Sequence, residues 1–270
     1  MILAWWNVKL GRSDRRVAWR IAVFLFFVVL LKARFEFGLT LEMFRSSLQL
    51  SAGVAFKFWV YYLALEPILR KFWPGCLTVW SRAMIGRWQD PSLGQSLLVG
   101  AAMSMVVPLL HALLVGQASE FNPFALSGNA ALITSLLQFI QFIANWGFYI
   151  LIVLVICRFA ARRDSVAVVI APLALIAFYH TGEVTDPSLL LIVLAVYYGT
   201  LMVLLIRFGV VAVFSFLICH HLLLRMPIAD GLGPDLTPTV VVVLTILLIA
   251  GYSFYISVGG RKPLIAKLCT

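Results

Sequence analysis

The stretch AALITSLLQFIQFIANWGFYILIVLVIC, residues 130–157, runs for 28 residues without one charged side chain. An α-helix rises about 1.5 Å per residue and a bilayer's hydrocarbon core is about 30 Å thick, so roughly 20 such residues are enough to cross. Working outward, the same pattern recurs. Hydrophobic residues make up 63% of the chain and charged ones only 12%, too little polar surface to cover a water-soluble core of this size. Lipid is the solvent this composition fits.

Apolar runs bounded by charge, glycine or proline predict an all-α, polytopic transmembrane bundle of about eight spans. They cover residues 17–33, 46–65, 94–115, 130–157, 165–180, 187–206, 208–224 and 238–257. Arg20 lies inside the first and is tolerable only near an end, where it can reach the headgroups. Spans six and seven are separated only by RFG, residues 207–209, consistent with a tight hairpin or one broken segment. No internal repeat, linker or soluble domain is evident, so residues 1–270 read as a single membrane domain.

Basic residues cluster before the first span (Lys9, Arg12, Arg15, Arg16, Arg20), in loop 66–93 (Arg70, Lys71, Arg82, Arg87) and in loop 158–164 (Arg158, Arg162, Arg163). Arg207 and the tail residues Arg261, Lys262 and Lys267 continue the series. Eight spans place all of these on one side. Glu120, Glu183, Asp186, Asp230 and Asp235 then fall on the other, where Arg225 is the clearest base. Only KARFEFGLTLEMFR, residues 32–45, breaks the pattern. The positive-inside rule therefore predicts cytoplasmic N- and C-termini in a multi-pass protein of the cell (inner) membrane. The net charge of +10 has the same origin, and no basic stripe suited to nucleic acid appears outside the loops. The N-terminal segment has no signal-peptide pattern, since its basic run follows its first apolar residues.

Intramembrane polar groups are the first place to look for chemistry. Gln138, Gln141 and Asn145 share one helical stripe at i, i+3, i+7, suited to interhelical hydrogen bonding or to a polar pathway. Lys57 falls inside the second span and needs a carboxylate, a carbonyl or water. His111, His180, His220 and His221 lie towards the outer ends of their spans, with Glu183 nearby. Imidazoles and carboxylates are metal ligands, so His180, Glu183, His220 and His221 form a candidate metal set, although no H-E-x-x-H spacing supports it. Cys76, Cys157, Cys219 and Cys269 form no C-x-x-C pair, and neither a phosphate-binding glycine loop nor a nucleophile elbow occurs. No cofactor is predicted.

The one strongly mixed stretch is EPILRKFWPGCLTVWSRAMIGRWQDP, residues 66–91. Glu66 and Arg70 have the i, i+4 spacing of a helical ion pair, while Pro67 and Pro74 are expected to limit the helix they sit on. Leu77, Trp80, Met84 and Trp88 form an apolar stripe, with Arg82 and Arg87 off it, which predicts an interfacial amphipathic helix stopped by Gln89-Asp90-Pro91. The loop lacks the paired base and nucleophile that catalysis requires.

The same residues carry a family likeness. The segment YLALEPILRKFWPGCLTVWSRAMIGRWQDPSLGQSLLVG, residues 62–100, resembles part of the polytopic membrane domain that follows the catalytic domain in a group of bacterial serine/threonine protein kinases. The matching features are the A-L-E-P turn (Ala64 to Pro67), Arg70 and Lys71, Trp73 and Pro74, Trp80 to Arg82, Gly86 and Arg87, and Asp90 and Pro91. NVKLGRSDRRVAWRIA (7–22) and YSFYISVGGRKPL (252–264) are similar to that domain's entry and exit. The glycine-rich loop, strand lysine, catalytic-loop aspartate and D-F-G of a kinase are all missing from the chain. The resemblance implies a non-catalytic anchor and sensor, standing alone or separated from a kinase half. Its partners would be the bilayer and a cytoplasmic kinase domain or other protein. Loop residues Glu66, Arg70, Trp80, Arg82, Arg87 and Asp90 would then serve folding or coupling. A small secondary transporter using Lys57 and the amide stripe, or an intramembrane hydrolase built on the histidines, are the alternatives.

Overall fold

The computed structural model describes residues 1–11, 13–37, 40–114, 129–179, 187–225 and 237–258. Among these residues the chain is helical, with no strand. Its helices are α1 (Ile2–Lys9), α2 (Arg15–Phe37), α3 (Leu41–Phe72), α4 (Thr78–Met84), α5 (Pro91–Met103), α6 (Val106–Leu114), α7 (Asn129–Ala161), α8 (Asp164–Tyr179), α9 (Pro187–Phe208), α10 (Val210–Arg225) and α11 (Thr237–Ser257). A 3-10 turn, Pro74–Leu77, precedes α4.

Five helices are long and apolar enough to cross a bilayer: Leu41–Phe72, Pro91–Leu110, Ala130–Ala161, Leu191–Phe208 and Thr239–Ser257. The other three expected spans are not among these five. Arg20 and Lys32 leave α2 an uncharged centre of only 11 residues, Ile21–Leu31, about 16 Å at the helical rise. α8 and α10 are apolar helices of 16 described residues each, about 24 Å, and both run up to residues outside the described set. The described residues of the span expected at 94–115 form α5 and α6, which together supply the crossing length of Pro91–Leu110 and are interrupted at the buried Ser104, whose hydroxyl donates to the Ala101 carbonyl at 2.6 Å. The break expected at Arg207–Gly209 is present, and Gly209 makes it with a φ of +84°.

The helices form two compact units. The first contains α1–α3, α7 and most of α8. Here α2 and α3 are an antiparallel hairpin, while α3 and α7 run parallel. Rising residue numbers meet along the latter pair, with Phe58 and Phe148 rings 5.2 Å apart and Phe72 and Phe159 rings 6.4 Å apart. One end of this trio therefore collects Arg15, Arg16, Arg20, Arg70, Lys71, Arg158, Arg162 and Arg163, eight bases against Asp14, Glu66 and Asp164. The other end is nearly balanced, with Lys32, Arg34 and Arg45 against Glu36 and Glu42.

The second unit contains the 3-10 turn, α4–α6, α9, α10 and nearly all of α11. Small residues bring its backbones close. A methyl on Gly100 would lie 2.3 Å from the Ala212 carbonyl oxygen, and one on Gly94 would lie 2.6 Å from that of Ser253. Interhelical hydroxyl bonds accompany these approaches, Ser215 to the Leu97 carbonyl at 2.7 Å and Ser96 to the Phe208 carbonyl at 3.0 Å.

Candidate functional site

Helix α3 begins exposed and ends as a docking rail for the N-terminus. Pro67 does not limit it, contrary to expectation, and α3 continues to Phe72. Proline lacks the N–H that would bond the carbonyl four residues back, here Leu63. That carbonyl accepts instead from the buried Asn7 side-chain amide at 3.0 Å, and the same amide reaches the Ala64 carbonyl at 3.3 Å. One turn on, the Glu66 carboxylate, only 2% exposed, accepts the Asp14 backbone N–H at 2.7 Å and pairs with Arg70 at 2.9 Å. Asp14 in turn caps α2, accepting from the Arg16 N–H at 2.9 Å. The A-L-E-P turn is thus a clamp on the chain's entry. The i, i+4 pair was legible in the sequence, whereas Asn7 was not singled out by any spacing rule.

The remainder of residues 66–91 belongs to the second unit. Trp73 is buried and Pro74 opens the 3-10 turn. The expected amphipathic helix is shorter than its stripe: α4 stops at Met84 because Gly86 takes a φ of +97°, leaving Trp88 beyond the helix and exposed. Trp80 stacks on Phe214, ring centres 5.5 Å apart. Arg82 pairs with Asp90 at 3.1 Å across the turn, while the Arg87 side chain is exposed. Asp90 also caps α5, accepting from the Ser92 hydroxyl at 2.7 Å and its N–H at 3.0 Å, with Pro91 in the first turn. These Ser92 bonds, then Arg82, hold the Asp90 carboxyl below its usual range. No base and nucleophile are paired in this segment among the described residues.

The histidines do not assemble a metal centre in what is described. His180 and Glu183 lie outside the described residues, as does the side chain of His111. His220 and His221 are buried on α10, where His220 stacks on Phe216 at 5.3 Å and His221 Nε2 lies 3.3 Å from the Tyr197 hydroxyl. Among the described residues no group of three or more potential ligands converges. Within the described structure these rings pack as aromatic side chains.

Lys57 and the amide stripe do meet. Lys57 Nζ donates to Asn145 Oδ1 at 2.7 Å and lies 4.9 Å from the Phe58 ring centre. Asn145 completes its geometry by donating Nδ2 to the Gln141 carbonyl at 2.8 Å. Of the three predicted amides, Gln138 is exposed and Gln141 half-buried, so Asn145 is the one that reaches across to α3. On α3, Lys57 stands 12 residues from Arg45 and 13 from Arg70, about 18 and 20 Å at the helical rise. It is therefore midway between the two charged ends. Among the described residues no carboxylate pairs with it.

Beside this contact the first unit has an open groove of about 340 Å³ lined by Tyr61, Phe142, Asn145, Trp146, Tyr149 and Ile152; Lys57 reaches it through Asn145. Periodicity explains the lining. Tyr61 is one turn from Lys57 on α3, and positions 142, 145, 146, 149 and 152 repeat at three- and four-residue steps along one face of α7. The aromatic walls brace one another, with Trp146 edge-on to Phe142 at 5.9 Å and to Tyr149 at 5.7 Å. What this arrangement offers is recognition: one cation and one amide beside an open, apolar and largely aromatic groove. Comparison of the chain with protein families, curated proteins and solved structures finds no match.

Proposed function

We propose that the chain is a non-catalytic anchor and sensor module of the cell membrane, crossing the bilayer eight times with both termini in the cytoplasm. The observation that carries this reading is the parallel pairing of α3 and α7, with their basic ends together and a Lys57–Asn145 contact at mid-depth. Parallel neighbours require the intervening chain to cross back, which favours α5 and α6 acting as one interrupted crossing. The eight-base end belongs in the cytoplasm by the positive-inside rule. On this topology α2, α8 and α10 complete the count, α2 by extending Arg20 and Lys32 towards the headgroups. The likeness of residues 62–100 to the membrane domain of bacterial serine/threonine kinases agrees with a cytoplasmic kinase domain or protein as the module's partner. A polar contact between two helices in lipid is a two-position element: engaging Lys57 elsewhere frees α3 to shift, and α3 runs directly into the 73–90 segment.

Trp88→Cys, in a chain whose native cysteines are replaced by alanine, tests both halves. Impermeant maleimide should label it only from the cytoplasmic side, and Arg45→Cys only from the opposite side. Adding Lys57→Met should change the labelling rate at position 88. Labelling from the wrong side rejects the topology, and an unchanged rate rejects sensing through Lys57. The groove also favours a second reading, a small secondary transporter. Net uptake of a solute by proteoliposomes, abolished by Lys57→Met, would select transport.

A further inference from the structure

The contents of the α3–α7 groove follow from what its walls lack. Mid-way along α3, an ammonium group in lipid needs a countercharge, yet Lys57 has only a neutral amide oxygen, at 2.7 Å, and the Phe58 ring face. An ammonium has three N–H donors, and Asn145 satisfies one. An open groove begins at that same Asn145 and is otherwise lined by Tyr61, Phe142, Trp146, Tyr149 and Ile152. Its volume, about 340 Å³, is that of a small-molecule site. Four aromatic walls favour a flat apolar body, held by offset and edge-to-face contacts. A lone cation favours a single negative charge at one end of that body, because a second would lie unpaired over an apolar, aromatic surface.

We propose that the groove between α3 and α7 binds a lipophilic aromatic monocarboxylate, its carboxylate on the Lys57 ammonium and its ring among Tyr61, Phe142, Trp146 and Tyr149. The carboxylate supplies the countercharge that the described protein residues do not, and Asn145 is its switchable stand-in. Asn145 Oδ1 holds the ammonium at 2.7 Å, and a bound carboxylate takes its place or shares it. This deepens the sensor reading by naming the class of stimulus, but binding is measured without any reference to signalling.

The probe is naphthalene-2-carboxylate, with naphthalene-2-carboxamide as its neutral isostere, titrated calorimetrically into the full chain in lipid nanodiscs. One-to-one saturable binding of the acid, at least tenfold tighter than the amide, is expected. Lys57→Met should weaken the acid at least tenfold and leave the amide unchanged, whereas Lys71→Gln, at the basic end, should alter neither. Equal affinity for acid and amide overturns the proposal, and so does unsaturable partitioning of both. The acid–amide comparison needs no variant, so a poorly folding Lys57→Met does not weaken the test. Equal or tighter binding of straight-chain octanoate overturns the aromatic assignment. Binding of the acid with no change in maleimide labelling at position 88 upholds the site and rejects the sensor.

Discussion

The Asn7 side chain donates to the Leu63 carbonyl at 3.0 Å, the carbonyl that Pro67 leaves without its helical donor. A buried acceptor is thereby satisfied from 56 residues away. Asn7→Ala should destabilise the chain by about 1–3 kcal/mol, the usual cost of stranding a buried polar group. In a Pro67→Ala background the backbone N–H is restored, so the same Asn7→Ala change should cost markedly less. Unfolding in mixed micelles, followed by circular dichroism for the four chains of this cycle, measures the coupling. Additive effects would mean that Asn7 does not serve the proline's orphan carbonyl.

Glu66 and Arg70 should not be equivalent. The Glu66 side chain is 1% exposed and also holds the Asp14 N–H, whereas that of Arg70 is 47% exposed. Glu66→Ala removes both contacts, whereas Arg70→Ala leaves Glu66 its bond to the Asp14 N–H, so Glu66→Ala should be the costlier by about 1 kcal/mol. Comparable losses in the same unfolding assay would contradict the clamp.

Gly209 is held by two constraints. Its φ is +84°, and a methyl there would sit 2.6 Å from the Cys76 carbonyl oxygen. The left-handed backbone alone costs an alanine about 1–2 kcal/mol, and the clash adds to it. Gly209→Ala should therefore unfold more readily than Gly199→Ala, where a methyl meets nothing within 4 Å. Equal stability of the two variants would show that the α9–α10 break tolerates a side chain.

Asp90 gives a pH dependence of definite sign. Its folded carboxyl titrates below the ordinary carboxylate value of about 3.9, so its stabilisation is complete above that value. As pH falls through the folded value the contribution disappears. Asp90→Ala should thus be less stable than the parent chain at pH 6, and the difference should close as pH falls below the ordinary carboxylate range. A gap that persists in acid would assign the effect to packing.

Cys76 should be chemically quiet. It is 1% exposed, donates Sγ–H to the Leu205 carbonyl at 3.2 Å, and burial pushes its thiol up to about 11. At pH 8 it is neutral and enclosed, so iodoacetamide should modify it far more slowly than a cysteine placed at Trp88. Rapid modification without denaturant would show that the 3-10 turn opens readily.

Much of this architecture is legible in the sequence. Helical class, the break after Phe208 and the Glu66–Arg70 pair follow from apolar run length and i, i+4 spacing, both local properties of the chain. Local rules misjudged Pro67 and the stripe ending at Trp88. A proline's penalty depends on whether a distant donor covers the carbonyl it strands, and Asn7 does so. The stripe matched a helical period, but Gly86 could leave the helix and did, so three of its four members share α4 and its preceding turn while the fourth does not.

The sequence by itself determined that the chain is helical and apolar, where its charges lie, and that Lys57 and Asn145 would be costly to leave without partners. Only the tertiary structure decided that they satisfy one another, that α3 and α7 run parallel, and that an aromatic-lined groove lies beside their contact. The reason is physical. Helix formation and hydrophobicity are summed over neighbours in sequence, whereas the partner of an intramembrane ammonium, 88 residues away, depends on which helix faces meet.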